Sequence, residues 1–145
     1  MVIRHQGDGR WESVPVLAYK EAGNVFKDVT RQVLFEGSDQ LPCQLRYFEV
    51  APGGYSTLEK HQHVHLVVVF RGRGSVLIGS QVHSIEERDV VTIPSNTWHQ
   101  FRATSDVPLG FLCLVNVIRD RPTLPTADDL RQLRSALLIS GLFME

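Results

Sequence analysis

The stretch Glu59-Lys60-His61-Gln62-His63-Val64-His65-Leu66-Val67-Val68-Val69-Phe70-Arg71-Gly72 decides how this chain reads. Its second half, Leu66 to Phe70, is a β-branched and aromatic run closed by glycine, the composition of a short strand. Its first half places a carboxylate and three imidazoles at every second position. Side chains two apart on a strand share a face, so Glu59, His61, His63 and His65 have the parity to point together. Rising ~3.3 Å per residue, a straight strand would spread that row over about 20 Å. A bend or bulge must therefore intervene if they serve one ion, and one member of the row is left out. Neutral imidazole and carboxylate suit divalent first-row metals. His99, after the turn Pro94-Ser95-Asn96-Thr97-Trp98, is the candidate fourth ligand.

Outward from this stretch, short apolar runs alternate with turn signals, as expected of an all-β domain. The expected strands are Val29–Phe35, Gln44–Val50, His65–Phe70, Ser75–Ile78, Val82–Ile85, Val90–Ile93, His99–Arg102 and Gly110–Val117. Pro52-Gly53-Gly54, Gly72-Arg73-Gly74 and Pro94-Ser95-Asn96 read as turns, and Gly79-Ser80 as a two-residue hairpin. Residues before about Val25 show no pattern, leaving room for an edge strand or a swapped arm. One helix is expected over about 126–139. Thr126 caps it, Asp128 and Asp129 occupy the first turn, and Leu130, Leu133, Leu137 and Leu138 form one face. The sequence thus predicts a single domain over 1–145, with a barrel core over about 25–118.

The bulk figures limit function by exclusion. With 145 residues the chain is one domain's worth. Fifteen Lys and Arg against sixteen Asp and Glu leave a net charge of -1, too weak a field to attract nucleic acid or an anionic membrane. Hydrophobic residues at 43% and charged ones at 21% exclude a disordered chain. The longest apolar run is far too short to span a bilayer, and no signal-peptide core precedes it. The two cysteines, Cys43 and Cys113, are too few for a disulfide scaffold, so a reducing, cytoplasmic setting is expected. Cys113 sits in Phe-Leu-Cys-Leu, which by itself reads as core.

At the histidine cluster the sequence resembles the cupin superfamily. Gly54-Tyr-Ser-Thr-Leu-Glu59-Lys-His61-Gln-His63-Val-His65 followed by Gly72 is similar to the first cupin pattern, and Asp89-Val-Val-Thr-Ile-Pro94-Ser-Asn-Thr-Trp-His99-Gln-Phe to the second. The resemblance runs from about Gln44 to Leu114 and implies a jelly-roll β-barrel closed by the short C-terminal helix. Alignment on Gly72 places His65 third, His61 second and Glu59 first, so that a glutamate stands where the pattern carries its first histidine. The implied ligands are Glu59, His61, His65 and His99. An alternative register pairs His61 with His63 and leaves His65 an onlooker. Such a shell implies one divalent ion per chain, with Mn favoured and Fe, Ni, Co or Zn as alternatives, and with open positions for substrate.

Thr30–Phe35, Gln44–Val50 and Gly110–Pro122, with the Glu59 variant, resemble bacterial Mn-dependent cupins of methionine-salvage type. These remove a methylthio group from 1-methylthioxylulose 5-phosphate, the sulfur passing to a thiol. The resemblance implies a small-molecule ketose substrate, Cys113 as a catalytic thiol if it faces inward, Arg46, Arg119 and Arg121 as phosphate holders, and a homodimer. Trp98 would form a wall or lid over the substrate. An Fe-dependent dioxygenase and a non-catalytic binding domain are the competing functions. Arg46 also has Glu49 within pairing distance along the chain, Arg119 and Arg121 read equally as solvated surface, and sequence alone does not say which face of 44–50 is inside.

Overall fold

The computed structural model describes residues 1–20 and 25–139. Eleven antiparallel strands and one helix follow in chain order: β1 (His5–Gly7), β2 (Arg10–Trp11), β3 (Leu17–Ala18), β4 (Lys27–Phe35), β5 (Cys43–Tyr55), β6 (His65–Arg71), β7 (Arg73–Ile78), β8 (Gln81–Glu86), β9 (Val90–Ile93), β10 (His99–Ala103), β11 (Leu109–Asn116) and α1 (Ala127–Ile139). All eight expected strands form, within a few residues of their expected ends, because alternation of apolar and polar residues sets each of them.

Strand β5 holds the architecture together. Cys43 to Val50 pairs with β11 along one edge, from Asn116↔Cys43 to Leu109↔Val50, and with β4 along the other. Tyr55, at its far end, pairs with Arg102 of β10. Strands β10, β7 and β8 continue the sheet on that side, and β6 and β9 continue it beyond β11. The sheet curls so that Val50, Val67, Val69, Val76, Ile93, Phe101, Phe111 and Cys113 bury into one core. Two groups of strands sharing the long strand β5 give the curled half-barrel.

Three features change or complete the sequence reading. Pro52-Gly53-Gly54 does not end a strand; it bends β5 while the strand runs on to Tyr55. The register slips between Val29↔Val50 and Lys27↔Tyr55, a large bulge on the β5 side. Gly54 fits there because a Cβ would lie 2.6 Å from the Lys27 carbonyl oxygen. Second, the edge strand for which the residues before Val25 left room is present: Leu17 and Ala18 of β3 pair with Arg31 and Thr30 of β4. Third, both faces of β5 are covered. Arg46, Phe48 and Val50 face the barrel, while Tyr47 on the other face is fully buried beneath Trp11 of the N-terminal hairpin, ring centres 5.0 Å apart. Gln32 donates to the Gly9 carbonyl at 2.7 Å, fastening that hairpin to the sheet.

The two-residue hairpin is as expected, Ile78 standing opposite Gln81 across Gly79-Ser80. Helix α1 opens with a reciprocal cap: the Asp129 N–H donates to Thr126 Oγ1 at 3.1 Å, and the Thr126 N–H to Asp129 Oδ2 at 2.8 Å. Leu133 and Leu137 pack on Leu58 and Leu77 in a second apolar cluster, with Leu130 and Trp98 at its edge; the side chain of Leu138 lies outside the described residues. No described helix is long and apolar enough to cross a membrane.

Candidate metal centre

The chain solves the straight-strand problem by stopping the strand. Glu59 forms a lone antiparallel bridge with His99, its N–H donating to the His99 carbonyl at 3.2 Å and its carbonyl accepting from the His99 N–H at 3.0 Å. The His61 carbonyl then accepts the Asn96 N–H at 2.7 Å, strapping the histidine segment to the turn before β10. Residues 61–64 lie outside any strand, and β6 starts afresh at His65, opposite Ile93 of β9. This break lets residues of one row converge. One coordinating atom from each of His61, His65 and His99 lies within 4.8 Å of the others, close enough for a single ion.

The hydrogen bonds say which nitrogen is free. His61 Nδ1 meets the His63 carbonyl at 2.7 Å and His99 Nδ1 meets the Thr97 carbonyl at 2.9 Å. A carbonyl only accepts, so each Nδ1 carries the proton and each Nε2 keeps its lone pair. His65 Nδ1 faces the Cys113 sulfur at 3.2 Å. The Nε2 atoms of His61 and His65 are buried without any hydrogen-bond partner, an arrangement that costs stability unless something else binds them. Burial, with the neighbouring imidazoles adding to it, lowers His61 to about 4. Burial also pushes His65 and His99 down. All three are neutral at pH 7, the ligating form. The donor set therefore fits a divalent transition ion.

His63 takes another path. Its ring stacks on His61 with centres 3.6 Å apart, but its Nδ1 bonds Asp120 Oδ1 at 2.8 Å, and it is not among the converging ligand atoms. Glu59 is buried beside the cluster and lines the same cleft, yet its Oε2 accepts from Lys20 Nζ at 2.8 Å. Of the four ligands implied by the sequence, the structure brings the three histidines together and leaves Glu59 alongside, engaged with a lysine.

A cleft of about 480 Å³ opens over the histidines. Glu59, His61, His63 and His65 line it together with Arg31, Arg46, Arg119 and Arg121, and Phe48 and Tyr19 add apolar surface; His99 stands deeper and lines a smaller adjoining cavity with Glu59 and His65. Among the described residues, none of these four arginines has a carboxylate within 4.0 Å. Glu49, the partner that sequence offered to Arg46, lies on the opposite face of β5 and pairs with Arg71 at 3.1 Å. Arg31 Nε donates to the Ala18 carbonyl, and Arg119 to the Asn116 carbonyl at 3.0 Å. Burial and then the charge of Arg46 lower the pKa of Arg119, as expected of cations crowded without an anion.

Two expected site residues move. Trp98 does not line the cleft: adjacent residues point to opposite faces, so with His99 inward Trp98 packs outward, in the cluster beneath α1, with Lys60 Nζ 4.6 Å above its ring. Cys113 does face inward, but its side chain is fully buried and it lines no part of the cleft. It stands behind His65 and Arg46, and burial raises its thiol pKa against the opposing pull of Arg46. Arg31, Lys20 and Asp120 were missed. Arg31 had a readable signal, a charge at the inward parity of Val29 in an apolar strand. Lys20 had none, and Asp120 looked like a polar link. In fact Asp120 accepts the N–H groups of Gln62 and His63 as well as the His63 ring, and these bonds hold its carboxyl well below the usual range.

Comparison with known proteins agrees with this geometry. The cupin domain family matches residues 46–115. The 1-methylthio-D-xylulose 5-phosphate methylsulfurylase of Rhodospirillum rubrum is 55% identical over 142 residues, covering 94% of this chain and 90% of that protein. The crystal structure of a cupin 2 conserved barrel domain protein from Rhodopseudomonas palustris superimposes with a TM-score of 0.90 at 49% identity, covering 97% of each chain. A cupin-2 domain structure from Rhodospirillum rubrum gives 0.84 at 51% identity over 95% of each. With a three-histidine centre inside a jelly-roll half-barrel and a full-length relative at this identity, the chain belongs to the cupin family.

Proposed function

We propose that this protein is a metal-dependent enzyme acting on a small phosphorylated ketose, removing the methylthio group of 1-methylthioxylulose 5-phosphate. One observation carries the reading: three converging imidazoles, two of them with unpartnered buried Nε2 atoms, adjoin a cleft that is also lined by four guanidiniums with no acid partner among the described residues. A ketose phosphate has the matching halves, vicinal oxygens at one end and a dianion at the other. Guanidinium forks suit phosphate because they donate in parallel pairs.

A divalent ion, with Mn favoured, would supply Lewis acidity to the ketose oxygens and so stabilise negative charge developing beside the carbonyl. His61, His65 and His99 would hold it, with Glu59 beside them. Arg46, Arg119 and Arg121, joined by Arg31, would hold the phosphate and fix the distance to the reacting carbon. Phe48 and Tyr19 keep the middle of the cleft apolar and exclude water from it.

The chemistry sets a further requirement. The C1–S bond breaks, a C1–H bond forms, and the methylthio sulfur ends bonded to a second sulfur, so a thiol must supply both the proton and the electron pair. Cys113 is buried behind the wall, which leaves a thiol co-substrate from solution as the acceptor. The test is anaerobic turnover of 1-methylthioxylulose 5-phosphate by Mn-loaded protein with a small added thiol. The expected products are 1-deoxyxylulose 5-phosphate and a methylthio disulfide in equal amounts. Absence of both, with oxygen uptake by the Fe(II)-loaded protein instead, would assign the cleft to a dioxygenase.

A further inference from the structure

Two of the three converging histidines are oriented by backbone carbonyls, and the third is not. His61 and His99 bond the carbonyls of His63 and Thr97, acceptors that no side-chain change can remove. His65 opens β6, whose backbone is paired with β9 on one edge and β11 on the other, so the nearby carbonyls belong to the ladders. Its acceptor must come from a neighbouring side chain. Cys113 stands opposite Val67 in the β6–β11 register, and its inward side chain is therefore a diagonal neighbour of His65. The sulfur lies 3.2 Å from His65 Nδ1. On its other side Cys113 stands opposite Arg46 of β5, whose Nη2 points at the same sulfur from 3.7 Å.

We propose that Cys113 is a positioning residue, its sulfur accepting from His65 and Arg46 so that it aims the His65 Nε2 at the metal and anchors one arginine of the anion wall. The inference rests on the metal-centre reading given above. Without the acceptor, the His65 ring loses the bond that selects its tautomer and its rotation about Cβ–Cγ, and Nε2 is presented for only part of the time. Loss of such an orienting partner typically weakens metal binding by roughly 10–100-fold. A nucleophilic role for the same thiol makes the opposite demand: its removal would abolish turnover and leave metal affinity untouched.

Mn(II) affinity of metal-free wild type, Cys113→Ala and Cys113→Ser, measured by competition with a chelating indicator, separates the two. Positioning predicts that alanine weakens Mn(II) binding by roughly 10–100-fold. Serine, whose oxygen also accepts, recovers part of the loss, and turnover by the serine variant returns at saturating Mn(II). Alanine binding Mn(II) as tightly as wild type overturns the inference, as does a serine variant that binds normally but never turns over. If alanine does not fold, Cys113→Val fills the volume without accepting a hydrogen bond and carries the same expectation. Should wild type itself bind no Mn(II), the metal-centre reading fails; should wild type bind and every Cys113 variant match it, only the role of Cys113 fails.

Discussion

The metal centre forms one wall of the site, and there each converging imidazole arrives with its Nδ1 already bonded, to the His63 carbonyl, the Thr97 carbonyl or the Cys113 sulfur. The other wall is the set of guanidiniums from β4, β5 and the 117–122 segment, which line the adjoining cleft with no carboxylate within 4.0 Å among the described residues. The first wall is organised before any ligand arrives, since its orienting bonds do not depend on one. The second is held apart from its natural partners, and like charges there repel until an anion enters. The site thus joins a half organised before any ligand arrives to an electrostatically unsatisfied half that an anion would satisfy.

The comparison breaks most sharply at a ligand. His99→Ala removes one of three converging donors, and Mn(II) affinity is expected to fall by more than about 100-fold, beyond the loss typical of an orienting partner. Metal content after dialysis checks it. Because the His99 backbone bonds to Glu59 remain, the folded state should persist by circular dichroism. Full metal retention in this variant would remove the organised wall from the argument.

A smaller effect is expected across the cleft. On the proposed reading Arg46→Ala and Arg119→Ala would each remove charge-assisted bonds to phosphate, worth about 1.5–3 kcal/mol. KM should rise by roughly 10–100-fold, with kcat changing less and Mn(II) affinity for Arg119→Ala unchanged. Arg131→Ala, on the exposed face of α1, serves as the control of equal charge change. If the control raises KM as much as the cleft variants, the wall acts only through net charge.

The same contrast governs what could be read from the sequence. Histidine spacing, strand alternation and the α1 cap are local patterns, so the strands, the helix and the three converging histidines were visible in it. What was hidden depends on partners far apart in the chain. Lys20 reaches Glu59 across 39 positions, and Asp120 reaches His63 across 57. Periodicity carries no record of such pairs. Tyr47 is a related case: its strand shows ordinary alternation, but the N-terminal hairpin buries the face that alternation would leave to solvent. Trp98 could have been placed, because its parity relative to His99 was already sufficient to turn it away from the cleft.

The smallest expected effect is also the most discriminating, because ordinary imidazoles would give a large one. Three ordinary imidazoles with pKa near 6.5 would each be mostly protonated at pH 5.5, and Mn(II) binding would weaken about tenfold per ligand, roughly a thousandfold in all. Here burial lowers all three, His61 to about 4, so that the metal has fewer protons to displace from its ligands at pH 5.5. From pH 8 to 5.5 their protonation should therefore weaken Mn(II) binding by far less than that thousandfold. Stability of the metal-free protein should behave differently. The unfolded chain takes up protons on these histidines below about 6.5 while the folded chain does not, so stability is full above that pH. It is lost progressively as pH falls toward 4, by about 2 kcal/mol at pH 5 for His61 alone. Affinity titrations and thermal melts over the same pH range therefore report opposite faces of one cause. Affinity falling a hundredfold by pH 5.5 while the metal-free protein remains fully stable would mean that the histidines titrate as exposed groups, and the wall would not be organised before the metal binds.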